Sequence, residues 1–529
     1  MDRITQIATG KTAIGIEFGS TRIKAVLIGL DSEPLAAGTY DWQNSYENGV
    51  WTYSLDEVRK GMQGCFAALM ENVRNKYNVV LETTASIGIS AMMHGYLAFD
   101  EDHQLLVPFR TWRNTMTAEA AEKVTKEFGF NIPQRWSIAH LHQAILNGEE
   151  HVSRIRFMTT LAGYVHWILT GEKVIGIGDG SGMFPIDPET GEYNKTMLEK
   201  FAKLTQGTAF TQDLSEILPK IVPVGECAGT LTEVGARLLD PSGTFKAGVP
   251  FCPPEGDAQT GMVATNSIAP RTGNVSAGTS IFAMAVLERD LSAVYPQIDI
   301  VTTPCGHPVA MVHCNNCTTD LDAWVAMISE TLGLFDLNVK KSVVYDKLYA
   351  AALSGKADCD GILSYNYYSG EHVTELPEGR PLVMRTPNSK LSISNFMRSL
   401  VYSCMATLKI GMDILMNEEK ITLNKIYAHG GLFKSPVTGQ RFLASALGVP
   451  VTLMESAGEG GAWGIALLAA YQAREDRMEG LADYLNRCVF AGMSGTSMDP
   501  CVEDAEGFAA YMKSYRAGLA VEQAAIKVD

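Results

Sequence analysis

The feature that most constrains this fold is a strand–turn–strand design that occurs twice in the chain. The first copy is IGIEFGSTRIKAVLIG (Ile14–Gly29) and the second is TGNVSAGTSIFAMAVLE (Thr272–Glu288). In each copy, a glycine followed by two hydroxyl residues separates two apolar segments, which is typical of a tight hairpin. A glycine permits close backbone approach and hydroxyls add donors, so each turn could hold phosphate oxygens. Two such turns at corresponding places predict a duplicated fold that holds one anion between its halves.

The chain around and between these turns predicts an α/β protein. Strands are predicted at 85–92 and 425–429, and helices within 157–171 and 394–416, with a glycine-rich turn at 458–461 opening a further helix. Alternating elements of this kind favour sheets covered on both faces by helices. We predict an N-terminal lobe of residues 1–268, a C-terminal lobe of 269–475, and a C-terminal helical extension of 476–529.

The composition and charge of the chain limit the kinds of molecule that it is expected to bind. The chain has 529 residues, 46% of them apolar, and a formal net charge of −16 with no basic block, which argues against nucleic acid or an anionic membrane as a partner. No uninterrupted apolar run has the length of a membrane span, and the N-terminus lacks the apolar stretch of a signal peptide. The ten scattered cysteines fit reduced thiols. A cytoplasmic protein with a small-molecule ligand is therefore expected.

An ordered set of motifs resembles the FGGY carbohydrate kinases over about residues 13–471. The set is EFGSTRIKAVL, SAMMHGYLAFD, RTWRNT, LTGEKVIGIGDGSGMFPID, EGDAQTG, SAGTS, SYNYYSGEH, AHGGLFKSP and EGGAWGIALLA. The resemblance implies a two-lobed, duplicated actin-like ATPase (ribonuclease H-like) fold with a cleft between the lobes. It also implies transfer of the γ-phosphoryl group of ATP to a sugar hydroxyl, with Mg²⁺ as the metal.

The resemblance assigns the catalytic chemistry to two carboxylates. Asp257 would be the general base, accepting the hydroxyl proton, and would also lie at the metal. Its alternative role is to cap the helix that follows it. Glu17 would hold Mg²⁺ through water. The family usually has Asp at this position, and the longer Glu reaches about 1.5 Å farther, which shifts the metal or loosens the role of Glu17.

The remaining predicted site residues divide into a nucleotide set and a sugar set. The nucleotide set is Gly19, Ser20, Thr21, Gly278, Thr279 and Ser280 for the β- and γ-phosphates, Lys24 or Arg22 for charge, Gly430, Gly431 and Lys434 near the ribose or α-phosphate, and Gly458 to Gly461, represented by Gly460, near adenine. The sugar set is Met93, His94, Trp112, Asn114, Asp257 and Gln259. Asn114 replaces the acid expected in this motif, and an amide offers a polyol a different set of hydrogen bonds from a carboxylate.

The sequence is compatible with more than one substrate and more than one oligomeric state. The Met-His-Gly motif favours a ketopentose, D-xylulose or L-ribulose, and makes glycerol a weaker candidate. Two alternatives from other classes are an actin-like ATPase with no sugar pocket and a catalytically silent sugar-binding homologue, in which Glu17 and Asn114 would be degraded positions. A homodimer is also left open, and residues 476–529 could pack as a helical cap or mediate assembly.

Overall fold

The structure is a computed structural model that describes residues 1–435, 437–454, 460–493 and 495–528. Its strands are β1 Ala13–Phe18, β2 Arg22–Ile28, β3 Pro34–Asp41, β4 Ser45–Glu47, β5 Val50–Thr52, β6 Ser86–Ala91, β7 Leu97–Phe99, β8 Phe157–Thr159, β9 Val174–Gly176, β10 Lys220–Val222, β11 Glu255–Gly256, β12 Thr272–Ala277, β13 Ile281–Val286, β14 Asp299–Thr302, β15 Pro308–Cys314, β16 Ile362–Tyr365, β17 Leu382–Arg385, β18 Lys425–His429, β19 Val451–Met454 and β20 Gly495–Met498.

Helices alternate with these strands, as the sequence predicts. They are α1 Arg3–Ala8, α2 Leu55–Tyr77, α3 Ala118–Phe128, α4 Ser137–Leu146, α5 Leu161–Thr170, α6 Ile177–Ser181, α7 Lys195–Leu204, α8 Leu214–Ile217, α9 Glu233–Leu239, α10 Asp257–Ala264, α11 Thr319–Leu334, α12 Lys341–Leu353, α13 Ile393–Asp413, α14 Thr438–Leu447, α15 Gly460–Gln472, α16 Leu481–Tyr484 and α17 Val502–Ala525. The predicted strands at 85–92 and 425–429 and the predicted helix at 394–416 are confirmed as β6, β18 and α13. The predicted helix at 157–171 is confirmed only from Leu161 as α5, because Phe157–Thr159 form strand β8.

The described chain forms two compact units. Unit 1 contains residues 1–268, 300–309 and 460–492, and unit 2 contains the described residues of 269–299, 310–454 and 493–528. Along the chain, unit 1 first gives way to unit 2 between residues 268 and 269. Two segments depart from the prediction, because residues 300–309 and helix α15, both assigned to the C-terminal lobe from the sequence, belong to unit 1.

Each unit contains the same five-strand arrangement. Unit 1 has a sheet in the order β11-β6-β1-β2-β3, and the corresponding five strands are β19-β18-β12-β13-β15 within a seven-stranded sheet of order β14-β15-β13-β12-β18-β19-β20. In each, the hairpin of the repeated design (β1–β2 or β12–β13) is antiparallel, and its first strand pairs in parallel with a later strand (β6 or β18). The shared topology supports the predicted duplication.

The sheet of unit 1 has different partners on its two faces because strand side chains alternate. Ile14, Ile16 and Phe18 of β1 enter the apolar core together with residues of α2 and α5. Gly15 and Glu17 therefore point to the other face, where α15 lies. A Cβ on Gly15 would be 2.1 Å from the backbone oxygen of Ala462, so the missing side chain lets α15 lie directly on the sheet. This packing is why α15 belongs to unit 1.

The long α13 is a core helix of unit 2. The stretch Ile393–Glu418 is the one described helix long and apolar enough to cross a membrane, and 72% of its most apolar window is buried inside the protein. Its predicted extension to Met416 ends in a π-type turn over Ile414–Glu418. Of the predicted C-terminal extension, α17 is helical and packs against α14, while β20 adds an edge strand to the sheet of unit 2.

Candidate active site

Three parallel strands of unit 1 bring the predicted chemistry to one edge of the sheet. Glu17, Ser90 and Glu255 are in register on β1, β6 and β11. The chain leaves β6 into the Met93-His94-Gly95 turn and leaves β11 into Asp257, the first residue of α10. Ligands of α/β proteins bind at the carboxyl ends of parallel strands. This edge of unit 1 is therefore the candidate site.

Asp257 is tied directly to the turn that carries His94. Its Oδ1 accepts a hydrogen bond from the backbone N–H of Met93 at 3.3 Å. The N-cap position of α10 is Gly256, so Asp257 is the first residue of the helix rather than its cap. Burial raises the pKa of Asp257 to about 6, while the N–H donors around it oppose the rise. The carboxylate is thus ionised at neutral pH and is more basic than an exposed aspartate.

The His94 ring is neutral, and one of its two nitrogens is engaged in a hydrogen bond. Its Nδ1 lies 3.1 Å from the carbonyl oxygen of Gly182, which can only accept, so Nδ1 carries the proton and Nε2 is an acceptor. Burial lowers the pKa of His94 to about 3. The residue has φ +65°, and its ring stacks on Trp136 with centroids 6.0 Å apart. Trp136 had no role in the sequence-based prediction.

Glu17 binds the beginning of α15. Its Oε2 accepts a hydrogen bond from the N–H of Ala462 at 3.1 Å, and a Cβ on Gly461 would lie 2.2 Å from its Oε1. Oε1 makes no hydrogen bond to the described residues. Burial, and after it the negative charge of nearby Asp257, raise the pKa of Glu17 to about 7. Lys24, directly across the hairpin, opposes this rise.

The carbonyl groups of the first predicted phosphate turn accept hydrogen bonds from residues outside the turn. The indole N–H of Trp42 donates to Gly19 O at 2.7 Å, the Tyr53 hydroxyl donates to Ser20 O at 2.6 Å, and the Trp42 N–H donates to Thr21 O at 3.2 Å. The N–H groups of Ser20 and Thr21 make no hydrogen bond within the described ranges. The turn therefore offers donors to an anion. The sequence-based prediction missed the two supporting aromatic residues.

The second turn, in unit 2, is restrained mainly by backbone donors, with the Thr318 hydroxyl as a further donor to Gly278 O at 3.0 Å. The N–H of Cys317 donates to Thr279 O at 2.9 Å, and the N–H of Thr318 donates to Gly278 O at 3.1 Å. The N–H groups of Thr279 and Ser280 have no acceptor among the described residues. Gly430 lies against this turn, since a Cβ on it would be 2.2 Å from Ala277 O.

The other predicted nucleotide residues lie in different places. Gly431 and Lys434 continue from Gly430 and are exposed in unit 2. Gly460, with φ +70°, begins α15 in unit 1 beside Glu17. Gly458 lies outside the described residues. Arg22 forms an exposed ion pair with Asp41 at 2.7 Å, which leaves Lys24 as the basic residue beside Glu17.

The predicted sugar-binding residues differ in exposure: Trp112 is exposed, whereas Asn114 and Gln259 are buried and hydrogen-bonded. Trp112 is 40% exposed and donates its indole N–H to Ser20 Oγ at 3.3 Å, so it reaches the first phosphate turn. Asn114 is buried, and its amide accepts from Trp51 N–H at 2.9 Å and donates to Trp51 O at 2.8 Å. Asn114 therefore attaches the segment that contains Trp112 to the backbone of Trp51. Gln259 is buried and donates to Thr302 O at 3.1 Å, and its Oε1 has no partner in the described chain.

Two further buried acids support this edge and were not singled out from the sequence. Glu255 accepts from the N–H of Asp179 at 2.8 Å and from the N–H of Gly178 at 3.3 Å. Asp179 accepts from the Thr160 hydroxyl at 2.6 Å. Burial raises the pKa of Glu255 to about 8 and that of Asp179 to about 7. Glu255 orients α6, whose last turn leads to the Gly182 carbonyl that holds His94.

The sequence and structure match known proteins along almost the whole chain. Residues 12–264 match the sequence model "FGGY family of carbohydrate kinases, N-terminal domain", and residues 273–473 match the C-terminal domain of the same family. A xylulose kinase of Haemophilus influenzae is 21% identical over 482 residues, which cover 89% of this chain and 92% of that protein.

Solved structures give the same fold. A ligand-bound xylulose kinase from Lactobacillus acidophilus superimposes with a TM-score of 0.78 at 16% identity, covering 97% of this chain and 99% of that one. A gluconate kinase from the same organism superimposes with a TM-score of 0.76 at 16% identity, covering 97% and 98%. Their near-equal scores mean that the fold does not discriminate between substrates.

Proposed function

Because this chain belongs to the FGGY family of carbohydrate kinases, we propose that it transfers the γ-phosphoryl group of ATP to a hydroxyl of a ketopentose. The observation that carries this proposal is the hydrogen bond from Met93 N–H to Asp257, which joins the carboxylate to the Met-His-Gly turn. A base and a sugar-binding turn that are fixed to one another can present one hydroxyl in one orientation, and positioning is the main contribution a protein makes to phosphoryl transfer.

Asp257 is the proposed general base. The sugar hydroxyl gives its proton to this carboxylate as its oxygen attacks the γ-phosphorus and the bond to ADP breaks. The pKa near 6 supports the assignment, because the group is ionised at neutral pH yet basic enough to take a proton. His94 Nε2 is the proposed acceptor for a second hydroxyl. Gln259 Oε1 is a third polar contact, and Trp112 supplies an apolar wall.

The two phosphate turns are proposed to hold the β- and γ-phosphates. Each presents two adjacent N–H groups that lack an acceptor among the described residues, and each has a glycine where the backbone approaches a ligand. Such oriented donors stabilise charge without reorganising during the reaction. Lys24, beside Glu17, adds positive charge. Gly430, Gly431 and Lys434 are the proposed contacts of the nucleotide in unit 2.

The carboxylates fit Mg²⁺. Glu17 Oε1 has no hydrogen-bond partner among the described residues, Asp257 is near enough to raise the pKa of Glu17, and Mg²⁺ prefers one or two carboxylate ligands plus water and phosphate. Glu17 and Asp257 are therefore the residues proposed to hold it. When bound, the ion would neutralise charge on the phosphates.

D-Xylulose and L-ribulose are the proposed substrates, with D-xylulose first. Xylulose kinases recur among the relatives, and the chain has the Met-His-Gly turn. The amide of Asn114, which differs from the acid expected in this motif, is engaged by Trp51, so it need not alter the sugar contacts directly. Glycerol is disfavoured because the Met-His-Gly turn favours a ketopentose.

Coupled ADP release with Mg²⁺-ATP tests the proposal. The panel is D-xylulose, L-ribulose, D-ribulose, L-xylulose, L-fuculose, L-rhamnulose, glycerol and gluconate, with a no-sugar control. We expect a strong response to one ketopentose. ATP hydrolysis indifferent to every sugar, or no activity with any of them, would refute the proposal.

Asp257→Asn tests the base. Turnover should fall by about 10²–10⁴-fold, while calorimetry should show that the sugar still binds. The matched control is Asp290→Asn, an exposed aspartate in unit 2. Unchanged turnover in Asp257→Asn would remove Asp257 from this role, and loss of sugar binding in a folded variant would make it a ligand-positioning residue instead.

A further inference from the structure

A buried polar cluster adjoins the Met93-His94-Gly95 turn. It consists of Tyr96, Arg110, Glu149 and His151, and we call it the Tyr96–Arg110 cluster. The Tyr96 side chain is completely buried, and Arg110 and His151 are each less than a tenth exposed. Burying a charge costs free energy unless the charge is paired and hydrogen-bonded. The arginine is therefore expected to have specific partners within the cluster.

Side-chain contacts join the cluster into one continuous chain. The Tyr96 hydroxyl lies 2.8 Å from His151 Nε2, and His151 Nδ1 lies 3.5 Å from Glu149 Oε2. Because a carboxylate can only accept, Nδ1 carries the proton of the neutral ring and the Tyr96 hydroxyl donates to Nε2. Burial lowers the pKa of His151, which keeps the ring neutral at neutral pH. Glu149 Oε2 also accepts a hydrogen bond from Arg110 Nη2, which outweighs burial and lowers the pKa of this carboxyl.

The two ends of this chain, Tyr96 and Arg110, are also paired through their backbones. The N–H of Tyr96 donates to Arg110 O at 2.8 Å, and the N–H of Arg110 donates to Tyr96 O at 3.2 Å, which forms an antiparallel bridge. The Arg110 guanidinium lies over the Tyr96 ring, 5.4 Å from its centroid. A Cβ on Gly95 would be 3.0 Å from Arg110 O, so the turn lies close against the same segment. Main chain and side chains together hold residues 96 and 110 in register.

The register of this bridge relates two residues of the proposed sugar site. His94 is two positions before Tyr96, and Trp112 is two positions after Arg110. In an antiparallel pair, positions at equal distances on opposite sides of a bridge leave it at the same end. The segments that carry His94 and Trp112 therefore diverge from one fixed point, and the cluster determines how far apart they begin.

We propose that the four members of the Tyr96–Arg110 cluster are positioning residues, which hold His94 and Trp112 at the separation that a sugar requires. The cluster acts through the backbone of residues 96 and 110, and none of its side chains is assigned a contact with the substrate. A displacement of about 1 Å can cost about 10²-fold in rate. This inference rests on the proposed function, because it takes His94 and Trp112 as sugar contacts.

Tyr96→Phe tests the proposal by removing only the hydroxyl that begins the chain. In steady-state assays with D-xylulose, kcat/KM for the sugar should fall by about 10-fold to 10²-fold, while KM for ATP at saturating sugar should stay within about twofold of the wild type. The matched control is Tyr511→Phe, because Tyr511 in unit 2 is also fully buried and donates its hydroxyl to Ser364 O at 3.1 Å. This control should leave both parameters unchanged. Circular dichroism and the thermal midpoint confirm that each variant folds.

Glu149→Ala tests the cluster from its other end and does not require a change at the fully buried tyrosine. The sugar parameter should fall as in Tyr96→Phe, and the double variant should lose less than the product of the two single losses, since the chain acts as a unit. The amide of Tyr96 should exchange at least about fivefold faster in Glu149→Ala, which corresponds to the loss of one hydrogen bond of about 1 kcal/mol. Glu150→Ala, at the exposed neighbouring residue, is the control and should change neither readout.

The outcomes separate this proposal from the proposed function. With an active wild type, unchanged sugar kinetics in Tyr96→Phe and Glu149→Ala, or an equal loss in the sugar and ATP parameters, would overturn the positioning role. An unchanged exchange rate of the Tyr96 amide would overturn it as well. A wild type that phosphorylates no sugar of the panel would overturn the proposed function, and the sugar role of the cluster with it.

Discussion

The contact between Glu17 and the beginning of α15 predicts that alanine at position 461 will destabilise the protein more in the wild type than in a Glu17→Asp background. A Cβ on Gly461 would lie 2.2 Å from Glu17 Oε1, so Gly461→Ala must displace the carboxylate and break its hydrogen bond with Ala462 N–H. A hydrogen bond to a charged group contributes about 1.5–3 kcal/mol. Replacing glycine by alanine inside a helix returns about 0.5–1 kcal/mol. Gly461→Ala should therefore destabilise the protein by about 1–2 kcal/mol.

Shortening the acid removes this conflict. Glu17→Asp withdraws the carboxylate by about 1.5 Å, which breaks the same hydrogen bond but leaves room for a methyl group. Gly461→Ala in this background should therefore destabilise the protein less than in the wild type, by the free energy of the hydrogen bond that is already lost. The Cβ would also approach Thr260 Oγ1 at 2.7 Å, but this cost is common to both backgrounds and cancels. The expected coupling free energy is about 1.5–3 kcal/mol.

Denaturant midpoints of the four proteins at pH 8, where Glu17 is ionised, measure this coupling. Hydrogen exchange of the peptide that contains Ala462 gives a local readout. Its amide should exchange faster in each single variant than in the wild type, because Glu17 is its acceptor. Stability changes that add within about 0.5 kcal/mol, or an unchanged exchange rate, would refute the contact as the origin of the effect.

Three further outcomes are expected. The value of kcat/KM should fall about tenfold per pH unit below about pH 6, where Asp257 becomes protonated, and a pH–rate profile measures this. Tyr53→Phe, which removes the donor to Ser20 O, should raise KM for ATP several-fold in steady-state assays with sugar saturating, with the far-UV spectrum unchanged. Asp179 has a folded-state pKa of about 7, above its unfolded value of about 3.8, so it binds a proton on folding and its contribution to stability is lost as pH rises through this range. Asp179→Asn should therefore gain in thermal midpoint, relative to the wild type, from pH 5 to pH 8.

The parts of the site that are local in sequence could be predicted. The Gly19–Thr21 and Gly278–Ser280 turns follow from glycine and hydroxyl residues between β-rich segments. The Met93-His94 turn follows a buried strand, and Asp257 follows a short run of prolines. In each case neighbours along the chain determine the backbone, so a pattern a few residues long is sufficient.

The parts of the site that no local pattern specifies depend on contacts between distant residues. Glu17 and Ala462 are 445 positions apart, and no local pattern places α15 on the face of the sheet that Gly15 leaves open. Asn114 resembles a ligand by its place in a motif, but its amide is consumed by the backbone of Trp51, which lies in a short hairpin 63 residues earlier. A glycine or a side-chain amide in the sequence indicates that another group lies close to it, but only the fold shows which group that is.

The two predicted phosphate turns are restrained largely by different kinds of donor, and this affects how substitutions change each turn. In unit 1, the indole of Trp42 and the hydroxyl of Tyr53 restrain the turn, so single substitutions can loosen or tighten it. In unit 2, the restraint comes from the backbone N–H groups of residues 317 and 318 and from the Thr318 hydroxyl, which donates to Gly278 O at 3.0 Å, so most of it survives a side-chain replacement. The first turn is therefore open to adjustment through its side-chain donors, whereas substitutions behind the second turn should change it less. Engineering of nucleotide affinity in this enzyme should begin with the aromatic residues behind the first turn.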